Sequence, residues 1–253
     1  MRAEDSQQLL DHPFPPARPR VDPEPLSLPD DASLFTRLRV ALKALKRIRG
    51  DEGNPVYGQL LAACFDGDIY ASLAQQFQGR EEGRRMLSKR PSMQNKDLDL
   101  DALERLPEGT LGREFARYFR DNKISPFETT LELKNDAEFL AKRYRETHDL
   151  MHLLTGYGTD VVGEMELQAY ALGNLGIRIA VLILLVGTLG QLKAPQTGIG
   201  RSEYLRRVKA AYHRGRAAPL FLDFWFEEHW ATPVATLSAR LCAPTREKAP
   251  VRS

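Results

Sequence analysis

The chain has 253 residues and a mass of 28.6 kDa, with 42% hydrophobic and 28% charged residues, a globular balance that excludes a disordered or fibrous protein. Lys+Arg 36 against Asp+Glu 34 leaves a formal charge of +2, without the concentrated positive field of a dedicated nucleic-acid binder, so nucleic acid is excluded as a partner. The two cysteines, Cys64 and Cys242, are too few and too far apart for a disulfide framework or a CxxC metal clamp, which fits a reducing compartment.

Residues 1–31 carry seven prolines among scattered acids, a composition that buries too little surface to offset its ordering entropy, and predict a disordered tail. The opening MRAEDSQQLLDHP has no apolar signal core and contains acids that a transit peptide avoids, which points to a cytoplasmic protein. From Leu34 onward apolar residues recur at helical spacing, as in Leu38, Ala41, Leu45 and Ile48. This first helix also carries Arg37, Arg39, Lys43, Lys46, Arg47 and Arg49 without one acid, a pattern that suits an anionic membrane surface and equally a solvated face on a core-packed helix.

Further helices are predicted over about 55–77, 80–90, 101–106, 111–122, 136–155, 161–173, 176–192, 202–214 and 219–241, divided by Gly and Pro. The apolar stretch Ile179–Leu189 is too short to cross a bilayer. Being apolar all round, it reads as a central core helix or as the lining of a channel for a long lipid. Phe221, Phe224, Trp225 and Phe226 form a second apolar cluster with the same two readings. The folded unit is expected over 32–242 as an all-α, single-domain multi-helix bundle, followed by a flexible tail over 243–253.

Chemistry concentrates in Tyr144-Arg-Glu-Thr-His148-Asp149-Leu-Met-His152 and the stretch that follows it to Glu164. His148 and His152 stand at i and i+4, so their imidazoles share one helix face and can bracket a metal ion. Gly156 and Gly158 supply a helix stop, Thr159 or Asp160 supplies an N-cap, and a second helix then begins. His152 lies four residues before Gly156 and Glu164 four residues after Asp160, so an antiparallel helix hairpin brings them to nearly the same height. Two imidazoles with one or two carboxylates suit Zn²⁺, and also Fe²⁺, Co²⁺ or Mn²⁺. A phosphohydrolase of the HD type would need a further upstream histidine, and His12 in the tail is the only one. A carboxylate di-iron bundle would need two ExxH motifs, whereas Asp149-x-x-His152 occurs once.

With these residues in view the sequence resembles the coenzyme Q (ubiquinone) biosynthesis protein four family, whose mark is HDxxH followed after eleven residues by Glu. The resemblance takes in Arg84–Pro91, Leu103–Gly112, Ser125-Pro126, Tyr144-Arg-Glu146 and Phe224–Pro233, and spans about 35–235. It implies an all-helical protein with zinc on His148, Asp149, His152 and Glu164. Asp149 leaves the helix about 100° away from His148 and is also placed to orient a histidine instead of binding metal.

The implied activity is that of a lyase: removal of the C1 carboxyl from a prenylated 4-hydroxybenzoate intermediate of ubiquinone synthesis, with a hydroxyl taking its place or the ring left as a phenol. The family is also described as organising the other ring-modifying enzymes, so a lipid-binding scaffold is the rival expectation. Implied partners are a polyprenylated aromatic quinone precursor, other ubiquinone-biosynthesis enzymes, and a peripheral contact with the inner face of the inner membrane, the matrix side in eukaryotic relatives; a homo-oligomer is allowed. Arg145 and Arg178 flank the motif as guanidiniums able to grip a substrate carboxylate, and stay outside the catalytic set.

Overall fold

A computed structural model describes residues 32–48, 55–94, 97–122, 124, 126, 133–193 and 198–242; the two expected tails lie outside the described residues. The described residues are all-α, as expected, and contain no β-strand. Ten α-helices are described: α1 Leu34–Ile48, α2 Pro55–Gln78, α3 Glu81–Lys89, α4 Leu100–Glu104, α5 Leu111–Asn122, α6 Asp136–Thr155, α7 Val161–Leu175, α8 Ile179–Lys193, α9 Arg201–Ala217 and α10 Val234–Leu241. They fall into two compact units.

The first unit holds α1–α5, α6 as far as Thr147, and the segment Phe226–Ala231. Here α1 buries Val40, Ala41 and Ala44 while leaving Phe35, Leu38 and Leu42 exposed. Arg39 and Lys43 lie exposed on that same outer face. Phe115 and Phe119 pair edge-to-face at 4.7 Å, and Trp230 stacks on Phe115 at 5.5 Å, so α5 is anchored by aromatic packing to the returning segment. Buried charge is matched internally. Arg143 is fully buried and donates from both terminal nitrogens to Glu227, at 2.8 and 3.3 Å. Lys142 Nζ donates to Glu146 Oε1 at 2.5 Å, and Ser92 Oγ donates to the same oxygen at 3.0 Å.

The second unit holds His148–Thr155 of α6, then α7–α9 and α10. Helix α7 is its centre. It runs against α9 with so little room that a Cβ on Gly173 would lie 2.2 Å from the Tyr212 carbonyl oxygen. Glu166 of α7 takes both hydrogen bonds of the Arg207 fork, at 3.0 and 2.5 Å. Val162 and Met165 of α7 and Tyr204 of α9 form a core joined by Ile183 and Leu184 of α8.

Two expectations are corrected here. Helix α8 is not a fully buried core helix, because Val181, Leu185, Val186 and Leu189 stand 49–61% exposed. Only the side carrying Ile183 and Leu184 meets the core, and uniform hydrophobicity hides which side that is. The expected helix over 219–241 is instead two 3-10 turns, Phe221–Asp223 and Phe226–Glu228, followed by α10. Pro219 and Pro233 bracket this stretch, and Asn174 Oδ1 takes the Phe221 N–H at 2.9 Å in place of a helical carbonyl. Phe224 then adopts an extended backbone, φ −95 and ψ 138.

Candidate metal centre

The end of α6 and the start of α7 make a tight hairpin with a reason for each bend. The Gly156 N–H closes the last turn on the His152 carbonyl at 2.9 Å, and Gly156 itself sits at φ +76, a conformation that carries no penalty without a Cβ. Asp160 Oδ1 then accepts the N–H groups of Val162 and Gly163, at 2.9 and 3.2 Å, and so caps α7. A Cβ at Gly163 would lie 2.1 Å from the Gly158 carbonyl oxygen, so the first turn of α7 can seat on the loop only as glycine. Glu164 follows at once, in the first turn of α7.

This hairpin brings three of the four predicted residues together. His148, His152 and Glu164 each offer a ligand atom, and those atoms all lie within 4.8 Å of one another. His152 Nε2 is 3.1 Å from Glu164 Oε1, and His148 Nε2 is 4.0 Å from Glu164 Oε2. Both imidazoles thus present the same nitrogen to the two oxygens of one carboxylate. The rings are 5.0 Å apart between centroids and steeply inclined, at 75°. His152 is buried, whereas the Glu164 side chain retains 36% exposure, so the cluster is open on the carboxylate side.

Asp149 stands outside this group. Its Oδ1 lies 3.8 Å from His148 Nδ1, the nitrogen opposite the one that meets Glu164. The partner of the other imidazole is one that sequence reasoning missed: His152 Nδ1 lies 3.0 Å from the Tyr157 carbonyl oxygen. A carbonyl can only accept, and so can a carboxylate, so Nδ1–H donates to Tyr157 and, when the ring carries both protons, Nε2–H donates to Glu164, the proton that a metal ion on Nε2 would displace. No side-chain motif signals it, because the acceptor is backbone.

The electrostatics follow from the same contacts. Burial pushes the His152 pKa down, but the hydrogen bond and charge of Glu164, the Tyr157 carbonyl and the charge of Asp149 outweigh it, and the net value is raised above the ordinary histidine range. For Glu164, burial pushes upward and is outweighed by the His152 hydrogen bond and the two histidine charges, so its pKa is lowered.

The donor set fits a divalent metal. Four-coordinate zinc with nitrogen and oxygen ligands at about 2.0–2.1 Å requires ligand atoms about 3.3 Å apart, which the 3.1 and 4.0 Å separations bracket. The protein offers two imidazole nitrogens and one carboxylate, three ligands of a type found where a fourth position is left for water or substrate.

Comparison with known proteins bears on what such a site serves. Residues 43–244 match the model of a family described as coenzyme Q (ubiquinone) biosynthesis protein Coq4. The chain belongs to the Coq4 family. Relatives named as mitochondrial ubiquinone biosynthesis protein COQ4 homologs include one from Rattus norvegicus, 34% identical over 172 residues, and one from Homo sapiens, 33% identical over 172 residues. Each alignment takes in 67% of this chain and 63% of the relative, so the chain spans under two thirds of the length of these curated relatives. A crystal structure from Nostoc punctiforme, of a protein assigned to ubiquinone biosynthesis, superposes with a TM-score of 0.64 and 23% identity, over 81% of this chain and 96% of that one. At that identity it supports the fold alone. This Coq4 protein has no helix among its described residues long and apolar enough to cross a membrane.

Proposed function

We propose that this Coq4 protein carries out metal-dependent C1 decarboxylation of a prenylated 4-hydroxybenzoate intermediate in ubiquinone biosynthesis, acting at a membrane surface. The observation that carries the proposal is the His148–His152–Glu164 cluster: three ligand atoms within 4.8 Å, with the carboxylate side partly open. Structural zinc sites favour cysteine and closed coordination, and this set has neither property.

Zinc is the expected ion, with Fe²⁺, Co²⁺ or Mn²⁺ as alternatives that the same ligands accept. Bound there, the ion supplies Lewis acidity that stabilises an anionic carboxylate or phenolate oxygen. The chain's own contribution is positional. His152 is held at Nδ1 by the Tyr157 carbonyl with Nε2 turned toward Glu164, Glu164 lies against both imidazoles, and the Asp149 carboxylate lies 3.8 Å behind His148. When the C1–carboxyl bond breaks, its electron pair stays on the ring and C1 takes up a proton, leaving a phenol. In the form of the reaction that installs a hydroxyl, a two-electron oxidant supplies the oxygen.

The membrane part of the reading rests on α1, where exposed Phe35, Leu38 and Leu42 share an outer face with Arg39 and Lys43. A second reading, a lipid-binding scaffold for the other ubiquinone-biosynthesis enzymes, is favoured by the exposed apolar side of α8, which offers a docking face independent of the metal cluster. Mass spectrometry of prenylated ring intermediates separates the two, in cells lacking the gene and complemented with wild type or His152→Ala. Accumulation of the carboxylated precursor with both the empty vector and His152→Ala supports decarboxylation. Full rescue by His152→Ala overturns it in favour of the scaffold.

A further inference from the structure

Tyr157 stands between Gly156 and Gly158, so its own backbone has little intrinsic preference for the orientation that aims its carbonyl at His152 Nδ1. Something else must hold that peptide. The Tyr157 side chain is fixed at two places: its ring meets Tyr170 of α7 edge-on at 6.3 Å, and the Arg214 guanidinium lies over it, 5.4 Å from the centroid. Arg214, on α9, is itself fixed by its planar fork. Nη1 donates to the Thr155 carbonyl at 2.8 Å, at the last residue of α6, and Nε donates to the Cys242 carbonyl, also at 2.8 Å, just past α10. Both acceptors are helix C-terminal carbonyls, where a cation is doubly favoured by hydrogen bonding and by the helix dipole.

We infer that Arg214 is a positioning residue for the metal centre, holding Tyr157 so that the Tyr157 carbonyl accepts from His152 Nδ1–H and keeps Nε2 turned toward Glu164 and the metal position. Arg214 lies 62 residues from His152 and touches no ligand; it acts through the C-terminal end of α6 and the Tyr157 ring. The inference rests on the proposed metal reading for its purpose, but the Nδ1 contact with the Tyr157 carbonyl that it specifies is present without metal. Lysine cannot replace it, because one ammonium cannot form the two fixed bonds to Thr155 and Cys242 while lying flat over a ring.

The test has two readouts. Zinc affinity is measured by competition with a chromophoric chelator, and the His152 Nδ1–H hydrogen bond is read in the metal-free protein by ¹H and ¹⁵N NMR of the imidazole at about pH 6, where the ring carries both protons. Wild type, Arg214→Gln, Arg214→Lys, His152→Ala and Arg207→Gln are compared; the last loses a fork on the same helix, to Glu166, and serves as a control for general structural damage. Both Arg214 variants are expected to bind zinc about 10- to 100-fold more weakly and to lose the downfield, slowly exchanging Nδ1–H signal, with Arg207→Gln unchanged on both counts.

Wild-type zinc affinity and an undisturbed Nδ1–H signal in both Arg214 variants would overturn the inference. So would a wild-type protein whose Nδ1–H shows no hydrogen-bonded shift, a result obtained without any variant having to fold. If wild type binds zinc no better than His152→Ala, the metal reading fails, and the Nδ1–H signal in metal-free Arg214→Lys still decides the role of Arg214.

Discussion

Glu164 meets two histidines with its two oxygens, Oε1 on His152 at 3.1 Å and Oε2 on His148 at 4.0 Å, so one carboxylate sets the spacing of the whole cluster. Glu164→Gln keeps the shape and removes the charge. With a metal ligand replaced by a neutral amide, zinc affinity is expected to fall at least tenfold while the helical circular dichroism is unchanged. Calorimetric titration with zinc checks it, and unaltered affinity would remove Glu164 from the ligand set.

The same pair predicts opposite pH behaviour with and without metal. In the metal-free protein the His152 pKa is raised, so its stabilising contribution is present below the unfolded histidine value of about 6.5 and is lost as pH rises through the folded value. The Glu164 pKa is lowered, so its contribution is present above the unfolded value of about 4.3 and is lost as pH falls through the folded one. The pair therefore stabilises the metal-free protein most between about pH 4.5 and 6.5. Zinc needs neutral His152, so the added stability from zinc grows from about pH 6 to 8. Melting temperatures with chelator and with zinc across that range check both trends; equal trends in His152→Ala would refute the assignment.

Buried Lys142 and Glu146 give a prediction about the fold alone. Removing one partner of a buried ion pair leaves an uncompensated charge, so Lys142→Met is expected to cost about 3 kcal/mol. The double variant Lys142→Met/Glu146→Leu is expected to recover most of that loss. Burial raises the Glu146 pKa, only partly offset by Lys142, Ser92 and Arg143, so folding favours its protonated form. Its contribution accordingly weakens as pH rises through the folded value, and the cost of Lys142→Met increases in the same direction. Urea unfolding of both variants at about pH 5 and pH 8 checks it. A double variant no more stable than Lys142→Met would show that the pair does more than neutralise charge.

The His148–His152–Glu164 cluster was legible because its parts are close in sequence. His148 and His152 share a face by helical spacing, and Gly156, Gly158 and Asp160 announce the turn that returns Glu164 to their height. What stayed hidden depends on partners that no local pattern records. The Tyr157 carbonyl is backbone, and Arg214 reaches Thr155 from 59 residues away. Arg143 and Glu146 look like solvated helix positions until Glu227 and Ser92 arrive from other elements. The exposed side of α8 was invisible for the opposite reason, since a helix apolar all round carries no sign of which side meets the core.

Exposure on α1 makes the membrane reading testable on its own. Phe35 is 76% exposed, Leu42 59% and Leu38 52%, and these are costly to leave in water unless something covers them. Arg39 and Lys43 interleave with them at helical spacing, so the face combines apolar insertion with attraction for anionic headgroups, worth about 1 kcal/mol per basic residue near a charged surface. The protein is therefore expected to co-sediment with vesicles of phosphatidylcholine and phosphatidylglycerol, more weakly with phosphatidylcholine alone, and less as salt rises. Phe35→Ser/Leu42→Ser is expected to lower binding at least tenfold, and Arg39→Glu/Lys43→Glu to abolish the preference for anionic vesicles. Loss of binding in Leu185→Ser with no effect of either α1 variant would transfer the docking surface to α8. Equal binding to neutral and anionic vesicles would leave the charge of α1 as a solvated face.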